Sequence, residues 1–148
     1  MANYAENRKA RFDYEILEKY EAGIELLGTE VKSVRSGKMS LEGAFVIVRG
    51  GEAFLINSNI TPYQPKNAPQ DYDPLRNRTL LLTKKEIAEL AASEKNKSLT
   101  IVPISVYNKV RKIKVEIALV KGKKKHDKRE SIKKRETDRE VRRAIKQD

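Results

Sequence analysis

Two apolar tetrads flank a glycine pair: Phe45-Val46-Ile47-Val48, then Gly50-Gly51, then Ala53-Phe54-Leu55-Ile56. A two-residue primed turn requires φ > 0 at both central positions, which glycine adopts without steric cost, so this segment predicts a β-hairpin. Period-two patterning recurs elsewhere. Ile113, Val115, Ile117 and Leu119 alternate with Lys114, Glu116 and Ala118, which predicts a strand with one buried face. Leu99 to Tyr107 reads as a strand as well. Between Asp13 and Leu27, strand-like runs (Tyr14, Ile16 and Leu17, then Ile24, Leu26 and Leu27) are interrupted at Ala22-Gly23, where a bulge or bend is expected.

Helices are expected in two places. Thr29 to Arg35 has a capping threonine, Glu30 in the first turn, Lys32 and Arg35 towards its end, and Gly37 as a stop. Thr83-Lys84-Lys85-Glu86 has the spacing of a capping box, so a helix starts there and ends by Asn96, with Ile87 and Leu90 on one face. Thr61 to Leu75, with four prolines and no periodicity, reads as loop. About six strands and two short helices make a mainly β chain, a small antiparallel barrel for which the oligonucleotide-binding (OB) barrel is the natural template. Strand count alone fits other small barrels equally well.

Charge divides the chain. Residues 1–120 carry 19 basic and 15 acidic side chains, whereas 121–148 carry 13 and 6. A boundary near Gly122 therefore separates a barrel, 1–121, from a basic tail, 122–148. The tail's few apolar residues (Ile132, Val141, Ala144, Ile145) form a thin helical stripe beside i,i+4 pairs such as Glu130/Lys134. So little apolar area cannot offset the entropy of ordering, so the tail is expected to be disordered when free and helical only against a partner.

The formal charge of +11 favours a polyanion, because each cation set against a phosphate releases condensed counterions. No run approaches 18 apolar residues, so no membrane partner is expected, and the polar start from Met1 to Arg11 reads as lacking a secretory signal. The absence of cysteine excludes disulfides and fits a reducing, cytoplasmic setting. Enzyme chemistry is poorly served. His126 is the only histidine, so neither a two-histidine nuclease mechanism nor a histidine-rich metal site is available, and no glycine-rich phosphate loop is present. No cofactor, metal or small-molecule substrate is expected, and the chain reads as a monomer.

Three blocks carry potential RNA chemistry. Asn7-Arg8-Lys9-Ala10-Arg11 offers three cations and an amide. Tyr20-Glu21 pairs a ring that can stack on a base with a carboxylate that can accept from a base edge. Lys32 and Arg35 share one helical face as a phosphate clamp. Each block alone also reads as ordinary solvated surface, and on these residues a general structured- or single-stranded-RNA-binding OB-fold translation protein stays open as the alternative, although aromatics at only 6% argue against stacking platforms and towards shape and phosphate recognition.

Taken in order, NRKARFDYEI, YEAGI, GTEVKSVRSGK, GEAFLINSNITPY, DPLRNRTLLL, VEIALVKGKK and HDKRESIKKRE resemble the signature blocks of the tmRNA-binding small protein B (SsrA-binding protein) family, from Asn7 to Arg135. The resemblance implies an OB-like closed barrel with flanking helices that holds the tRNA-like domain of tmRNA. It implies a tail that enters the decoding centre and empty messenger path of a stalled ribosome, against small-subunit rRNA, for trans-translation. By position, Asn7 and Glu21 match tmRNA-binding sites of the family, with Arg8, Arg11, Tyr20, Lys32 and Arg35 beside them and Arg76 and Arg78 in the DPLRNRTLLL block. Gly122, Lys123 and Lys124 match the GKK element. His126, Asp127, Lys128 and Arg129 match the decoding-centre segment, followed by Lys133 and Arg135. Two positions depart from the pattern: Thr79 replaces a common basic residue, and Thr137 an aromatic one.

One outcome follows from the tail. Proline in the interior of a helix costs about 3 kcal/mol or more. Arg135→Pro is therefore expected to abolish tagging on stalled ribosomes while tmRNA affinity stays near wild type. Tagging at wild-type level in that variant, or a tail already helical in solution, defeats the coupled-folding account.

Overall fold

The computed structural model describes residues 3–64 and 71–122, apart from the Arg11 side chain; the expected tail helix lies outside them. In chain order the elements are β1 (Ala5–Glu6), α1 (Arg8–Asp13), β2 (Tyr14–Ile24), α2 (Gly28–Arg35), β3 (Met39–Ser40), β4 (Phe45–Arg49), β5 (Glu52–Ile56), β6 (Asn59–Ile60), β7 (Arg78–Leu81), α3 (Lys84–Glu94), β8 (Leu99–Lys109) and β9 (Lys112–Gly122). All pairings are antiparallel. The main sheet runs β1-β8-β4-β5-β7-β2-β9, and β8 also pairs with β9, so the pairings run in a circuit from β8 round to β9, with β1 on its flank; β3 and β6 form a separate two-stranded patch.

The local signals of the sequence explain most of these elements. Gly50 (φ 59°) and Gly51 (φ 77°) make the primed turn between Arg49 and Glu52. Thr83 caps α3 by accepting from Glu86 N–H at 3.2 Å while donating its own N–H to Glu86 Oε1 at 3.0 Å. α2 begins one residue earlier than expected, with Leu27 as its cap: Leu27 N–H donates to Glu30 Oε1 at 2.9 Å, so Thr29 is not the cap. At the far end Gly37 (φ 77°) donates to Val34 O and Lys38 N–H to Ser33 O, the paired bonds of a Schellman stop.

Other expectations are corrected. The irregularity in β2 lies between Ile16 and Glu18, whereas Ala22 and Gly23 pair regularly with Val115 and Lys114. Glycine serves a different purpose at 23: a Cβ there would lie 3.2 Å from Leu81 Cβ, so it admits the close approach of β7. β9 buries both faces over Ile117–Val120. Inside, Tyr20, Ala22, Leu55, Leu80, Ile101, Val115 and Ile117 pack with Val34 of α2 and Leu90 of α3. Outside, Ala118 and Val120 pack with Val102, Ile104 and Ala10, because α1, unforeseen in the polar N-terminal block, covers that half of the sheet. β1, β3, β6 and β7 were also not expected; all have four residues or fewer, too short to show a period.

A buried carboxylate fastens the loop after β6. Glu30 is 1% exposed. Its Oε1 accepts from Leu27 N–H and Arg76 Nη2, and its Oε2 from Arg78 Nη2 at 2.5 Å, Arg78 Nε at 2.9 Å and Arg76 Nε at 3.1 Å. Tyr72 Oη lies 3.0 Å from the same Oε2. Arg78, fully buried, donates further to the carbonyls of Ser58, Pro74 and Arg76. Burial pushes the Glu30 carboxyl up, but hydrogen bonds from Arg76, Leu27 N–H and Arg78 outweigh it and hold it at about 2. A folded-state value below the ordinary 4.5 contributes stability that is present above pH 4.5 and lost as the pH falls towards 2. Glu30→Gln leaves the Arg78 guanidinium buried without its counter-charge, so urea unfolding at pH 7 is expected to show a loss of about 3–5 kcal/mol. The variant should also lose part of the wild-type acid sensitivity between pH 4.5 and 2. A loss below about 1 kcal/mol, with the acid limb unchanged, contradicts this assignment.

Candidate nucleic-acid interface

The half of the outer sheet that α1 leaves open is a three-strand platform. Side chains alternate across each strand, so directly paired residues share a face. Tyr20 and Ala22 are buried inside, so Lys19 and Glu21 point out from β2. Lys112, Lys114 and Glu116 point out from β9, and Ser105, Tyr107 and Lys109 from β8, through the pairs Glu21↔Glu116, Tyr107↔Lys114 and Lys109↔Lys112.

Glu21 is the fixed point of this surface. Its Oε2 accepts from Tyr107 Oη at 2.5 Å, and its Oε1 from Lys109 Nζ at 3.1 Å. The Tyr107 and Lys109 hydrogen bonds hold the carboxyl below the ordinary carboxylate range. Burial, and then the bond to Glu21, push the Tyr107 phenol up, so the pair is a carboxylate and a neutral phenol at neutral pH. The Glu21 side chain is still 37% exposed. Its remaining acceptor capacity faces solvent.

Two hollows meet beside it, sharing Leu81 and Lys114. One, of about 320 Å³, lies between α2 and the β8–β9 hairpin and is lined by Arg35, Arg111, Lys112 and Lys114 with no carboxylate. The other contains Glu21, Glu25, Glu52 and Glu86. Leu81, 53% exposed, lies on the ridge between them. A cationic groove attracts phosphate. An acidic hollow repels it and can accept only from donors, such as base amino groups or 2′-hydroxyls.

The expected residues fall into distinct places. Glu21, Lys32 and Arg35 are exposed, and Arg35 Nη2 donates to Arg111 O at 3.1 Å. Asn7 caps α1, accepting from Ala10 N–H at 3.2 Å while its amide donates to Pro103 O at 3.0 Å; much of its capacity is thus used internally. Arg8 is 92% exposed with Glu6 at 3.7 Å. That block lies across the sheet from Glu21 along the row Glu6–Ser105–Glu116–Glu21, three strand spacings or roughly 14 Å. Three of the expected residues are turned inward or engaged within the fold. Tyr20, 8% exposed, has its ring in the core and its hydroxyl on Glu89 at 3.2 Å, so it offers no stacking face. Arg78, fully buried on Glu30, presents no donor outside, and Arg76 is largely committed to the same carboxylate. Thr79 of β7, paired with Phe54 of β5, lines the acidic hollow. Gly122 closes β9. Lys123, Lys124, His126, Asp127, Lys128, Arg129, Lys133 and Arg135 lie outside the described residues.

Sequence reasoning did not bring Tyr107, Lys109, Lys114 or Leu81 to this surface. The alternation of β9 already placed Lys114 on the polar face, but only the β8–β9 and β2–β9 registers bring Tyr107 and Lys109 to Glu21.

A family model described as SmpB protein matches residues 4–147. An SsrA-binding protein of Thermosynechococcus vestitus is 51% identical over 143 residues, covering 97% of this chain and 94% of its own. One from Latilactobacillus sakei is 54% identical over 142 residues, covering 96% and 90%. A chain of a solved structure described as "tmRNA-SmpB: a journey to the center of the bacterial ribosome" aligns with a TM-score of 0.68 and 46% identity, over 86% of this chain and 92% of that one. With nearly its whole length thus matched, the chain belongs to the SmpB protein family.

Proposed function

We propose that this protein binds tmRNA through the platform around Glu21 and delivers it to stalled ribosomes for trans-translation. The circuit of strands serves as a closed OB-like barrel whose open outer face receives the tRNA-like domain, and residues 122–148 serve as a separate tail for the decoding centre and messenger path. The observation that carries the reading is the Glu21 carboxylate, held by Tyr107 and Lys109 beside a groove lined by four cations. A carboxylate on a phosphate-binding surface is unfavourable unless it meets a donor. Its fixed position therefore selects a particular base edge or 2′-hydroxyl, while the cations supply affinity. The reading is one of binding in the cytoplasm, with no catalytic step. Among the described residues no helix is long and apolar enough to cross a membrane, and no group of three or more His, Cys, Asp or Glu side chains is arranged to hold a metal.

A general single-strand binder needs rings stacked along a groove. The ring on this platform is Tyr107, tied by its hydroxyl to Glu21, and Tyr20 is inside the core. Recognition by shape and backbone of a folded RNA suits the surface better.

Glu21→Ala tests this directly. Losing a base-directed hydrogen bond typically costs about 1–3 kcal/mol, or roughly 5- to 150-fold in affinity for the tRNA-like domain. Binding to unrelated RNA should be unchanged or stronger, since a repulsive charge has gone. Thermal unfolding should match wild type. Affinity within twofold of wild type removes Glu21 from the site.

A further inference from the structure

The chain builds the same primed turn twice. Between β4 and β5 it uses Gly50-Gly51. Between β8 and β9, closed by Lys109↔Lys112, it uses Val110 (φ 48°) and Arg111 (φ 65°). A β-branched side chain in the left-handed region is strained, and Val110, 85% exposed, gains no packing in return. Strain that no contact within the fold requires points to a use at the surface. The turn is also braced: Arg35 of α2 reaches across to donate to Arg111 O at 3.1 Å. The space so framed is the cationic groove with Arg35, Arg111, Lys112 and Lys114 on its walls. No ion pair to Arg111 or Lys112 is found among the described residues.

We propose that the Val110–Arg111 turn is a rigid prong for the sugar–phosphate backbone of the RNA whose base edge or hydroxyl meets Glu21. In it Arg111 and Lys112 contact phosphates, and Val110 lies against ribose. This rests on the tmRNA-binding reading given above. Continuity selects that RNA over ribosomal RNA: Lys109, in the turn's closing pair, also holds Glu21, and Lys114 lines both hollows. A backbone contact fixes register and orientation without reading sequence, which complements a single carboxylate that does read. The glycine version of the turn carries no side chain for this purpose.

The experiment compares full-length wild type, Arg111→Ala/Lys112→Ala, Arg111→Lys and Val110→Gly. Affinities are measured for the isolated tRNA-like domain of tmRNA over a salt series, and for small ribosomal subunits without tmRNA. Each phosphate contact contributes about 0.7–0.9 to the slope of log K against log salt. The double variant should lose about 1.5 from that slope and at least tenfold in affinity at low salt, with ribosome binding unchanged and melting near wild type. Arg111→Lys should keep the slope. Val110→Gly relieves the strain and so folds at least as well; its affinity should fall about threefold through loss of the preset tip. Wild-type slope and affinity in the double variant overturn the proposal, as does a loss seen only with ribosomal subunits. Wild-type affinity in Val110→Gly overturns the role of the turn. If wild type itself shows no preference for the tRNA-like domain over another folded RNA, the reading of function falls, and this inference with it.

Discussion

Glu30 places a negative charge where water cannot reach it, and four segments converge on that charge. It lies in α2; Arg76 and Tyr72 belong to the loop after β6, Arg78 opens β7, and through Arg78 the cluster extends to Ser58 between β5 and β6. Removing a charged pair from water costs several kcal/mol per ion, and the mutual attraction offsets this only when the other lone pairs and protons are also satisfied. Here they are. Each carboxylate oxygen takes more than one donor, and the spare guanidinium hydrogens of Arg78 go to main-chain carbonyls. The product of the cluster is position more than stability. α2 carries Arg35 and β7 carries Leu81, so two walls of the cationic groove are fastened through one carboxylate. A loop of this length without periodicity would otherwise leave β7 free to shift in its short pairings, two residue pairs with β2 and three with β5.

Charge on residues 1–120 is modest in sum and sharply sorted in space. Residues 1–120 exceed neutrality by only four cations, yet four cations line one hollow and four glutamates the next. Adjacent fields of opposite sign at short range do not raise bulk affinity for a polyanion. On the proposed reading they would penalise an RNA that places phosphate over the acidic side, and so turn a weak net attraction into a preference for one orientation. Residues 121–148, with 13 basic against 6 acidic side chains, hold most of the chain's surplus positive charge.

Signals contained within one element were legible in the sequence. The Gly50-Gly51 hairpin, the Thr83–Glu86 capping box and the Gly37 stop each depend on a few neighbouring residues, and each stands where its chemistry placed it. What needed the third dimension was not legible. Tyr20 and Glu21 are adjacent in sequence and face opposite sides of a strand, so one is core and the other is site; choosing between them requires knowing which face is buried. Arg78 and Arg35 are both surface cations by composition, and only the position of Glu30 separates the buried one from the exposed one. The Glu21–Tyr107–Lys109 group spans 86 and 88 residues of chain, and no local pattern announces a contact of that range.

The helix at the start of the chain bears on the site by what it covers. Without α1, Val102, Ile104, Ala118 and Val120 would form an apolar strip on the outer sheet, open to collapse against any apolar partner. Asn7 makes the covering possible in only six residues of helix: it caps the first turn with its oxygen and anchors it with its nitrogen to Pro103, which as a proline gives β8 no N–H of its own there. The boundary of the recognition surface is therefore set by packing. Polar residues begin where Ala10 ceases to reach, at Glu116 on β9 and Ser105 on β8, and from there to the turn at Val110–Arg111 the outer face is nearly all charge and hydroxyl. A rigid, twisted sheet of fixed length offers a folded RNA few ways to lie on it. On the proposed reading, that restriction is what would let a single fixed carboxylate discriminate among RNAs of similar charge.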